Sequence, residues 1–446
     1  GGAPGRAERR RPGGAGVFRW GRAGPTSRAA ATVDAKELGQ PLPTGGDYLK
    51  AVDEHWWGYW GARPGALDLS AWVGELEGLP AFPEVTPLSG ADLLAAVSSW
   101  GAKKAPGPDG WLSAEMKDWP QGLFEALADI LALVERLGVW PGGLSQSLVA
   151  MLPKGGTRDP EDRRPIVLLA SVYRLWSAIR AVTFRGWLVE AGILEAAGPG
   201  RAADAQAYEA ALVFELARSR GDQLAGVALD WSKCYDRLPL VLLEEFAAKA
   251  GMPRALVGPM LAAYRQPRRL VVDGMAGVLR APVCGLAPGC PAATDWLALV
   301  MSPWLFRARR LSAGVRARAY VDDLTAWSLG LGCREDVAAL VNLVEAFERD
   351  TGLVIHRGKS CRFAFPWELA AELREDGAMP IKQGFRDLGV CQTVAEGSAT
   401  GGDLGRADLA VLRCGRIAVM PLPYRWKAHV ARASAVSAGV FGHASG

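Results

Sequence analysis

Two adjacent carboxylates, Asp322 and Asp323, lie in a Tyr-Val-Asp-Asp segment that begins at Tyr320. Residues 317–321 and 324–327 have the pattern of two short strands, which predicts that the pair lies at a hairpin tip. Neighbouring carboxylates there repel each other and lose hydration, which folding alone does not reward. A divalent cation removes that penalty, and Mg²⁺ prefers carboxylate and phosphate oxygens. Asp is also a common turn residue, so the pair alone leaves a purely structural interpretation open.

A second acidic strand end strengthens the metal interpretation. Residues 224–231 read as a buried strand that delivers Asp230 at its end. Two metal ions about 3.5–4 Å apart, which clamp an in-line phosphoryl displacement, need carboxylates from separate strands. Asp230 with Asp322 and Asp323 could supply that set. The alternative is that Asp230 caps a strand and Asp236 leads into the next helix.

The elements that must position these acids alternate between helical and extended patterns. Helices are predicted from the N-cap candidates Ser89 and Asp92 through Val97, and over 123–137 (ending at Gly138), 205–218, 240–250 and 337–347 (ending at Gly352). Strands are predicted over 148–152 and 224–231, and as hairpins over 269–273 with 278–283 and 317–321 with 324–327. Helices mixed with antiparallel hairpins predict an α+β fold.

Amino-acid composition and the pattern of predicted elements divide the chain into four parts. Residues 1–50 are predicted to be a disordered Gly/Arg/Pro-rich tail, 51–88 a linker or a segment that precedes the main body, 89–395 the main body and 396–446 a short C-terminal segment. An aromatic cluster in the linker could stack nucleic-acid bases or anchor a core; its members are His55, Trp56, Trp57, Tyr59 and Trp60. Because the chain does not begin with Met, we interpret it as a fragment or a processed product.

Composition limits the class of protein. Of the 446 residues, 51 are Lys or Arg and 47 are Asp or Glu, a net charge of +4. Residues 1–33 carry a net +6, so the remainder is near −2 and is not a nonspecific polycation. Nucleic-acid binding would therefore need a local groove or the N-terminal arm. No apolar run approaches the roughly 20 residues of a membrane span, so no membrane partner is expected. Seven scattered cysteines without C-x-x-C, and four histidines, disfavour zinc and fit a reduced intracellular protein.

Over roughly residues 85 to 395 the chain resembles the reverse transcriptases of non-LTR (LINE-like) retroelements, whose motifs occur here in order. The matching segments are K-A-P-G-P-D-G at 104–110, L-P-K at 152–154, R-P-I at 164–166, D-x-S-K-x-Y-D at 230–236, G-x-x-x-G-C-P at 285–291, Y-x-D-D at 320–323, G-L-x-I-x-x-x-K-S at 352–360 and F-x-x-L-G-V at 385–390.

The resemblance implies a right-hand polymerase. Fingers would cover about 90–222 and part of 240–285, the palm would hold Asp230 and the 320–323 hairpin, and 396–446 would be a truncated helical thumb. The implied activity is RNA-directed DNA polymerase, a nucleotidyltransferase of a retrotransposon that adds dNTPs to a primer 3′-hydroxyl. Its partners would be an RNA template, a DNA primer and dNTPs, its cofactor two Mg²⁺ ions (or Mn²⁺), and its location the nucleus.

The resemblance also implies residue roles. Asp230, Asp322 and Asp323 would be catalytic metal ligands, with Lys359 protonating the departing pyrophosphate. Nucleotide binding would fall to Lys154, Arg164, Tyr235, Pro288 and Gly289, the primer grip to Phe385, Leu388 and Gly389, and nucleic-acid binding to Lys103 and Lys104. In this scheme Tyr235 is the aromatic gate that excludes a 2′-hydroxyl. Structural alternatives are a solvated Lys154 or Lys359, an Arg164 ion pair, Tyr235 as sheet packing, and an ordinary core hairpin at 385–390.

One residue departs from the family pattern. Pro288 stands where the family has Gln, and Pro offers neither a side-chain hydrogen bond nor a backbone N–H. An alternative function is therefore a catalytically degenerate nucleic-acid-binding remnant. A second alternative is an RT-like intron maturase, which the K-A-P-G-P-D-G segment and the lack of a recognisable maturase domain disfavour. We recognise no endonuclease before residue 50 and no ribonuclease H after residue 395.

Overall fold

The computed structural model of the protein describes residues 45–101, 104–154, 158–194, 203–375, 379–388, 390–394, 414–419 and 427–428. The α-helices are α1 Gly45–Trp60, α2 Ser70–Val73, α3 Gly90–Ser98, α4 Ser113–Lys117, α5 Gln121–Leu137, α6 Ser171–Glu190, α7 Ala203–Arg220, α8 Cys234–Arg237, α9 Leu240–Lys249, α10 Arg254–Arg265, α11 Ala293–Arg310, α12 Cys333–Thr351 and α13 Trp367–Arg374. The strands are β1 Ser147–Pro153, β2 Arg163–Leu168, β3 Leu224–Asp230, β4 Arg268–Val272, β5 Met275–Ala276, β6 Arg316–Tyr320, β7 Asp323–Leu329, β8 Cys361–Phe365, β9 Gly384–Asp387 and β10 Val390–Thr393.

The chain forms two compact units. Unit 1 comprises Gly1–Ala62, Pro87–Ser177 and Pro259–Cys290, and unit 2 comprises Arg63–Thr86, Ala178–Gly258 and Pro291–Gly446. Both mix helices with mainly antiparallel strands, so the predicted α+β class is confirmed. Within the described part of the chain, every helix is too short or too polar to cross a lipid bilayer.

Unit 1 is built on a sheet of strand order β2-β1-β4-β5. Strand β1 is antiparallel to β2 and parallel to β4, and alternating residues of β1 and β2 are buried. Helix α1 adds the fully buried side chains of Trp56 and Trp60 to this unit. The Trp56 indole N–H donates to the Pro160 carbonyl at 3.0 Å. The aromatic cluster therefore supplies core anchors, since its three tryptophans are all buried.

Local end signals fixed several helices as the sequence predicts. Ser89 and Asp92 form a capping box at the start of α3. Helices α5 and α12 end at Gly138 and Gly352, with φ of 70° and 72°. A residue with a side chain is strained at such angles, which is why glycine ends both helices.

Unit 2 is built on an antiparallel sheet of strand order β6-β7-β3-β8. Every residue of β3 before Asp230 is buried, so both faces of the central strand are covered. Helix α12 packs against β3 and β7, and α7 contributes Ala210, Phe214 and Ala217 to a cluster with β3, β7 and β8. Gly226 in β3 is required here, because a Cβ would collide with the Ala326 carbonyl and the Phe363 ring.

Three sequence expectations need correction. Helix α1 begins at Gly45, inside the predicted tail, and the predicted linker 51–88 is a packed segment with buried Trp56, Trp60 and Trp72. The hairpin after β4 turns at Asp273-Gly274, not over 274–277. Both turn residues have positive φ (49° and 85°), as a type I′ turn requires.

The stretches predicted as fingers fall in both compact units. Residues 178–222 and 240–258 belong to unit 2. The apolar face of α7 explains this assignment, because Phe214 contacts Trp327 and Phe363 of the unit 2 sheet at ring distances of 5.6 and 5.2 Å. Residues 1–44 and most of 396–446, including most of the predicted tail and thumb, lie outside the described residues.

Candidate active site

The predicted acids meet at one edge of the unit 2 sheet, which we call the acidic edge (Asp230, Asp322 and Asp323). Strand pairing places Asp230 directly opposite Asp323, and Asp323 opposite Tyr320. Side chains of directly opposed residues project from the same face, with Cβ atoms about 5 Å apart. Antiparallel pairing thus brings together carboxylates that lie almost a hundred residues apart in the chain.

Asp322 lies in the two-residue turn between β6 and β7, and its neighbour there has an unusual backbone. Val321 has φ of 58°. A β-branched residue at positive φ is a genuine outlier that costs on the order of 1–3 kcal/mol, and such residues cluster at functional sites. The sheet pairs on both sides of the turn hold Val321 in this conformation.

The segment 354–360 holds the end of β3 through its main chain. The Asp230 N–H donates to Ser360 Oγ at 3.0 Å, and the Asp230 carbonyl accepts from the His356 N–H at 2.8 Å. One step further, the Ser232 N–H donates to the Val354 carbonyl at 2.7 Å. The motif at 352–360 is therefore a clamp on the strand that presents Asp230.

The same segment carries Lys359 to the acids. Its Nζ lies 3.4 Å from Asp230 Oδ2, while 61% of the lysine side chain stays exposed. Burial raises the pKa of Asp322, the charge of Asp230 raises it further, and the Lys359 ammonium opposes the rise. The fold thus leaves an electrostatic cost at the acidic edge, which Lys359 reduces but does not remove.

Helix α8 begins four residues after Asp230 and places two further titratable groups beside the acids. Burial raises the pKa of Tyr235, and the charge of Asp322 adds to the rise, so the phenol stays protonated at neutral pH. Burial also raises the pKa of the Cys234 thiol well above its usual range, with contributions from Asp322, Asp236 and Asp230. Asp236 itself is buried within α8, a short helix that the sequence did not predict.

The predicted primer grip forms the β9–β10 hairpin of unit 2. Phe385 is buried and stacks on Phe363 with ring centroids 4.5 Å apart. Leu388, at the turn with φ of 49°, packs with Ala207 and the half-buried Tyr320. The hairpin turn therefore touches strand β6, which leads to the acidic edge. Gly389 lies outside the described residues.

Unit 1 carries the predicted phosphate-binding residues at the end of the β1–β2 hairpin. Register pairs Leu152 with Arg164, and the Lys154 N–H donates to the Asp162 carbonyl at 2.7 Å. Lys154 and Arg164 are both exposed, whereas the neighbouring Arg163 is buried and donates from Nε to the Tyr48 hydroxyl at 2.8 Å. Arg163 is thus the structural arginine, and Arg164 faces solvent.

The loop with the family departure also lies in unit 1. The half-buried Pro288 accepts a hydrogen bond at its carbonyl from the Val167 N–H at 2.7 Å. Gly289 has φ of 118°, and a Cβ there would lie 2.6 Å from the Val167 carbonyl oxygen. The Pro288-Gly289 turn is therefore fastened to strand β2, three residues beyond Arg164.

The K-A-P-G-P-D-G segment docks on the start of α6. Asp109 Oδ2 accepts from the Val172 N–H at 3.2 Å, and Arg174 donates to the Ala105 carbonyl at 2.8 Å. The exposed Lys104 places Nζ 4.2 Å from the centroid of the Trp100 ring. Burial lowers the pKa of Lys104, and the nearby Arg174 charge lowers it further. Lys103 lies outside the described residues.

The acidic edge matches the chemistry of a magnesium site only in part. Its donors are carboxylate oxygens, and Asp230 and Asp322 supply the one or two that Mg²⁺ commonly takes from protein. Among the residues that the structure describes, however, no group of three or more His, Cys, Asp or Glu side chains is arranged to hold a metal ion. A cation at this edge would take carboxylate oxygens from Asp230 and Asp322, and its remaining ligands would have to come from phosphates and water.

Two contributors to the edge were not predicted as site residues. Ser360 and Cys234 both lie inside recognised motifs, next to Lys359 and Tyr235. Their signal in the sequence was adjacency to predicted site residues, but the role of Ser360 depends on its contact with Asp230, 130 residues away in the chain. Periodicity cannot reveal such a contact.

Comparison with known proteins agrees with the motifs, because the similar proteins are encoded by transposons. The chain is 24% identical over 271 residues to the transposon TX1 uncharacterized 149 kDa protein of Xenopus laevis, covering 56% of this chain and 20% of that protein. It is 30% identical over 112 residues to the probable RNA-directed DNA polymerase from transposon BS of Drosophila melanogaster, covering 25% of this chain and 12% of that protein. No family model matches.

The matched part thus spans a fifth or less of each relative's length. Both relatives are transposon proteins and one is named as an RNA-directed DNA polymerase, as the motifs predict. The chain is similar to transposon-encoded proteins, in agreement with its resemblance to the reverse transcriptases of non-LTR retroelements.

Proposed function

We propose that this chain is an RNA-directed DNA polymerase with a right-hand architecture, in which unit 2 is the palm and unit 1 part of the fingers. The observation that supports this most is the acidic edge: β3 and β7 pair Asp230 with Asp323 beside Asp322, and Lys359 lies 3.4 Å from Asp230. In the proposed reaction the primer 3′-oxygen bonds to the α-phosphorus of a dNTP, and the bond from that phosphorus to pyrophosphate breaks.

Each residue of the edge has a part in that exchange. Asp230, Asp322 and Asp323 would hold two Mg²⁺ ions, which would polarise the primer hydroxyl and stabilise charge on the phosphate. The hydroxyl loses its proton to solvent, and the Lys359 ammonium gives one to the departing pyrophosphate. The ion pair with Asp230 orients the ammonium before the substrate arrives.

Other residues select and hold the substrates. Lys154 and Arg164 pair with nucleotide phosphates, a task that suits a point charge and a planar guanidinium. Tyr235 excludes a 2′-hydroxyl, the 385–390 hairpin holds the primer strand, and Lys103 and Lys104 contact nucleic acid. The partners are an RNA template, a DNA primer and dNTPs, and the template is the element's own RNA, copied at a chromosomal nick in the nucleus.

Primer extension tests the proposal. With poly(rA) template, oligo(dT) primer, dTTP and Mg²⁺, we expect extension by the wild type and a loss of about 10³-fold in Asp322→Asn, as for removal of a main electrostatic stabiliser. Pro288→Gln, run beside them, measures what the family departure costs. The exposed Asp222, just before β3, gives a matched control in Asp222→Asn.

A second candidate is a nucleic-acid-binding remnant without turnover, which Pro288 and the lack of a three-residue ligand group among the described side chains favour. It predicts that wild type binds primer–template but does not extend it. Activity restored by Pro288→Gln would then locate the lesion in the loop. Wild-type extension that persists in Asp322→Asn would contradict the proposed role of the acidic edge.

A further inference from the structure

A closed polar network lies beneath the Pro288-Gly289 turn in unit 1. The Tyr264 hydroxyl donates to Cys290 Sγ at 3.2 Å, and the hydroxyls of Tyr173 and Ser177 lie 3.1 and 3.4 Å from the same sulfur. Cys290 is 7% exposed and its three neighbours at most 1%. We call these four residues the thiol network; none of them is a predicted site residue.

Three hydroxyls around one sulfur is an unusual arrangement for a buried cysteine. A thiol is a weak acceptor and usually behaves as a small apolar side chain. Buried hydroxyls nevertheless need partners, and each one left without a partner costs about 1–3 kcal/mol. The network therefore joins α6 and α10 at a single atom of the loop.

The position of the turn follows from this attachment. The Cys290 N–H donates to the Ala287 carbonyl at 2.9 Å, which closes the turn over Pro288 and Gly289. On the other side, strand β2 holds the turn through the Val167 N–H. The buried Arg268 donates to the Gly285 carbonyl at 2.9 Å, which fixes the start of the loop. Because Pro288 has no side-chain or backbone donor, the hydrogen bonds of its neighbours and of its own carbonyl hold the turn in place.

We propose that Cys290 is a positioning residue for nucleotide binding. Through its contacts with Tyr173, Tyr264 and Ser177 it fixes the position of the Pro288-Gly289 turn on helices α6 and α10. This inference rests on the proposed polymerase function. A small misplacement of a binding loop weakens substrate binding much more than it weakens the fold. The role would thus be visible in the KM for dNTP.

Steady-state primer extension on poly(rA)/oligo(dT) separates this role from a purely structural one. For Cys290→Ala, which removes the acceptor and leaves a void, we expect the KM for dTTP to rise about tenfold with kcat changed less than about twofold. Cys290→Ser keeps a hydrogen-bonding group and should stay within about threefold of the wild-type KM. Tyr264→Phe should give an intermediate rise.

Cys284→Ala is the matched control. Cys284 is also buried in unit 1, six residues earlier, and its thiol donates to the Ala62 carbonyl at 3.1 Å, away from the turn. It should lower the Tm as Cys290→Ala does, with an unchanged KM. An unchanged KM in Cys290→Ala, or an equal rise in Cys284→Ala, would overturn the inference. Failure of the wild type to extend any primer would instead contradict the proposed function.

Discussion

The acidic edge of unit 2 and the 285–290 loop of unit 1 differ in how well the fold stabilises their polar groups. At the edge, carboxylates face each other across a strand pair, the pKa of Asp322 is raised by burial, and Val321 has a strained backbone. In the loop, main-chain groups and the Cys290 thiol have close partners. The edge keeps an electrostatic cost that a bound cation would relieve, whereas the polar groups of the loop have partners without any ligand. Removing a functional group should therefore stabilise the first and destabilise the second.

After the loss of activity predicted for Asp322→Asn, the next-largest effect is expected at Lys359. Lys359→Met removes the proposed proton donor, so kcat should fall about 10²-fold, as is typical for loss of a general acid. The pKa of Asp322 should rise further once the ammonium no longer opposes it. The acid limb of the pH–rate profile should consequently move to higher pH. Lys249→Met, which breaks an exposed ion pair with Glu77 elsewhere in unit 2, is the control. An unchanged pH–rate profile would show that Lys359 does not affect the titration of Asp322.

A smaller effect is expected at Gly289, on the loop side of the comparison. In Gly289→Ala the new Cβ would meet the Val167 carbonyl at 2.6 Å, at a φ of 118° that only glycine tolerates well. The turn must move, and the KM for dTTP should rise about tenfold, equivalent to ~1.4 kcal/mol. Gly142→Ala, where the added atom meets nothing within 4 Å, should leave the KM unchanged. Equal KM values for the two variants would mean that the turn is not where the nucleotide binds.

The smallest effect is a gain in stability at the acidic edge. Because the folded-state pKa of Asp322 lies above its unfolded value, its carboxylate destabilises the fold at neutral pH, and this penalty disappears as pH falls below the unfolded pKa. Asp322→Asn should therefore melt above wild type at pH 7, by about 2 °C. The difference should shrink toward pH 4 in thermal unfolding scans. A lower Tm at pH 7 would show that Asp322 is a structural residue.

Local chemistry explains which features the sequence could predict. The caps at Ser89, Gly138 and Gly352, and the hairpin that carries Asp322, depend on a few neighbouring residues and were confirmed. The resemblance assigned both Asp230 and Lys359 to the site, but only the structure shows that their side chains form an ion pair.

The misses share one cause, which is packing between distant segments. Helix α1 begins in a glycine-rich stretch with a weak signal, and its tryptophans hold it in place through contacts such as the bond to Pro160. The packing of α7 on the unit 2 sheet was not predicted, because the sequence does not reveal that Phe214 meets Trp327 and Phe363. The thiol network was missed for the same reason, since its helices meet only in the folded chain.

The clamp on β3 bears on the entropy of ligand binding. A strand normally frays at its end, so a carboxylate there would have to be immobilised each time a ligand arrives. Here both main-chain groups of Asp230 are bonded, to Ser360 and His356. The backbone entropy of Asp230 is therefore lost when the sheet folds, and not when a ligand binds. A cation or phosphate that binds at Asp230 meets an ordered backbone, and more of its attraction remains as affinity.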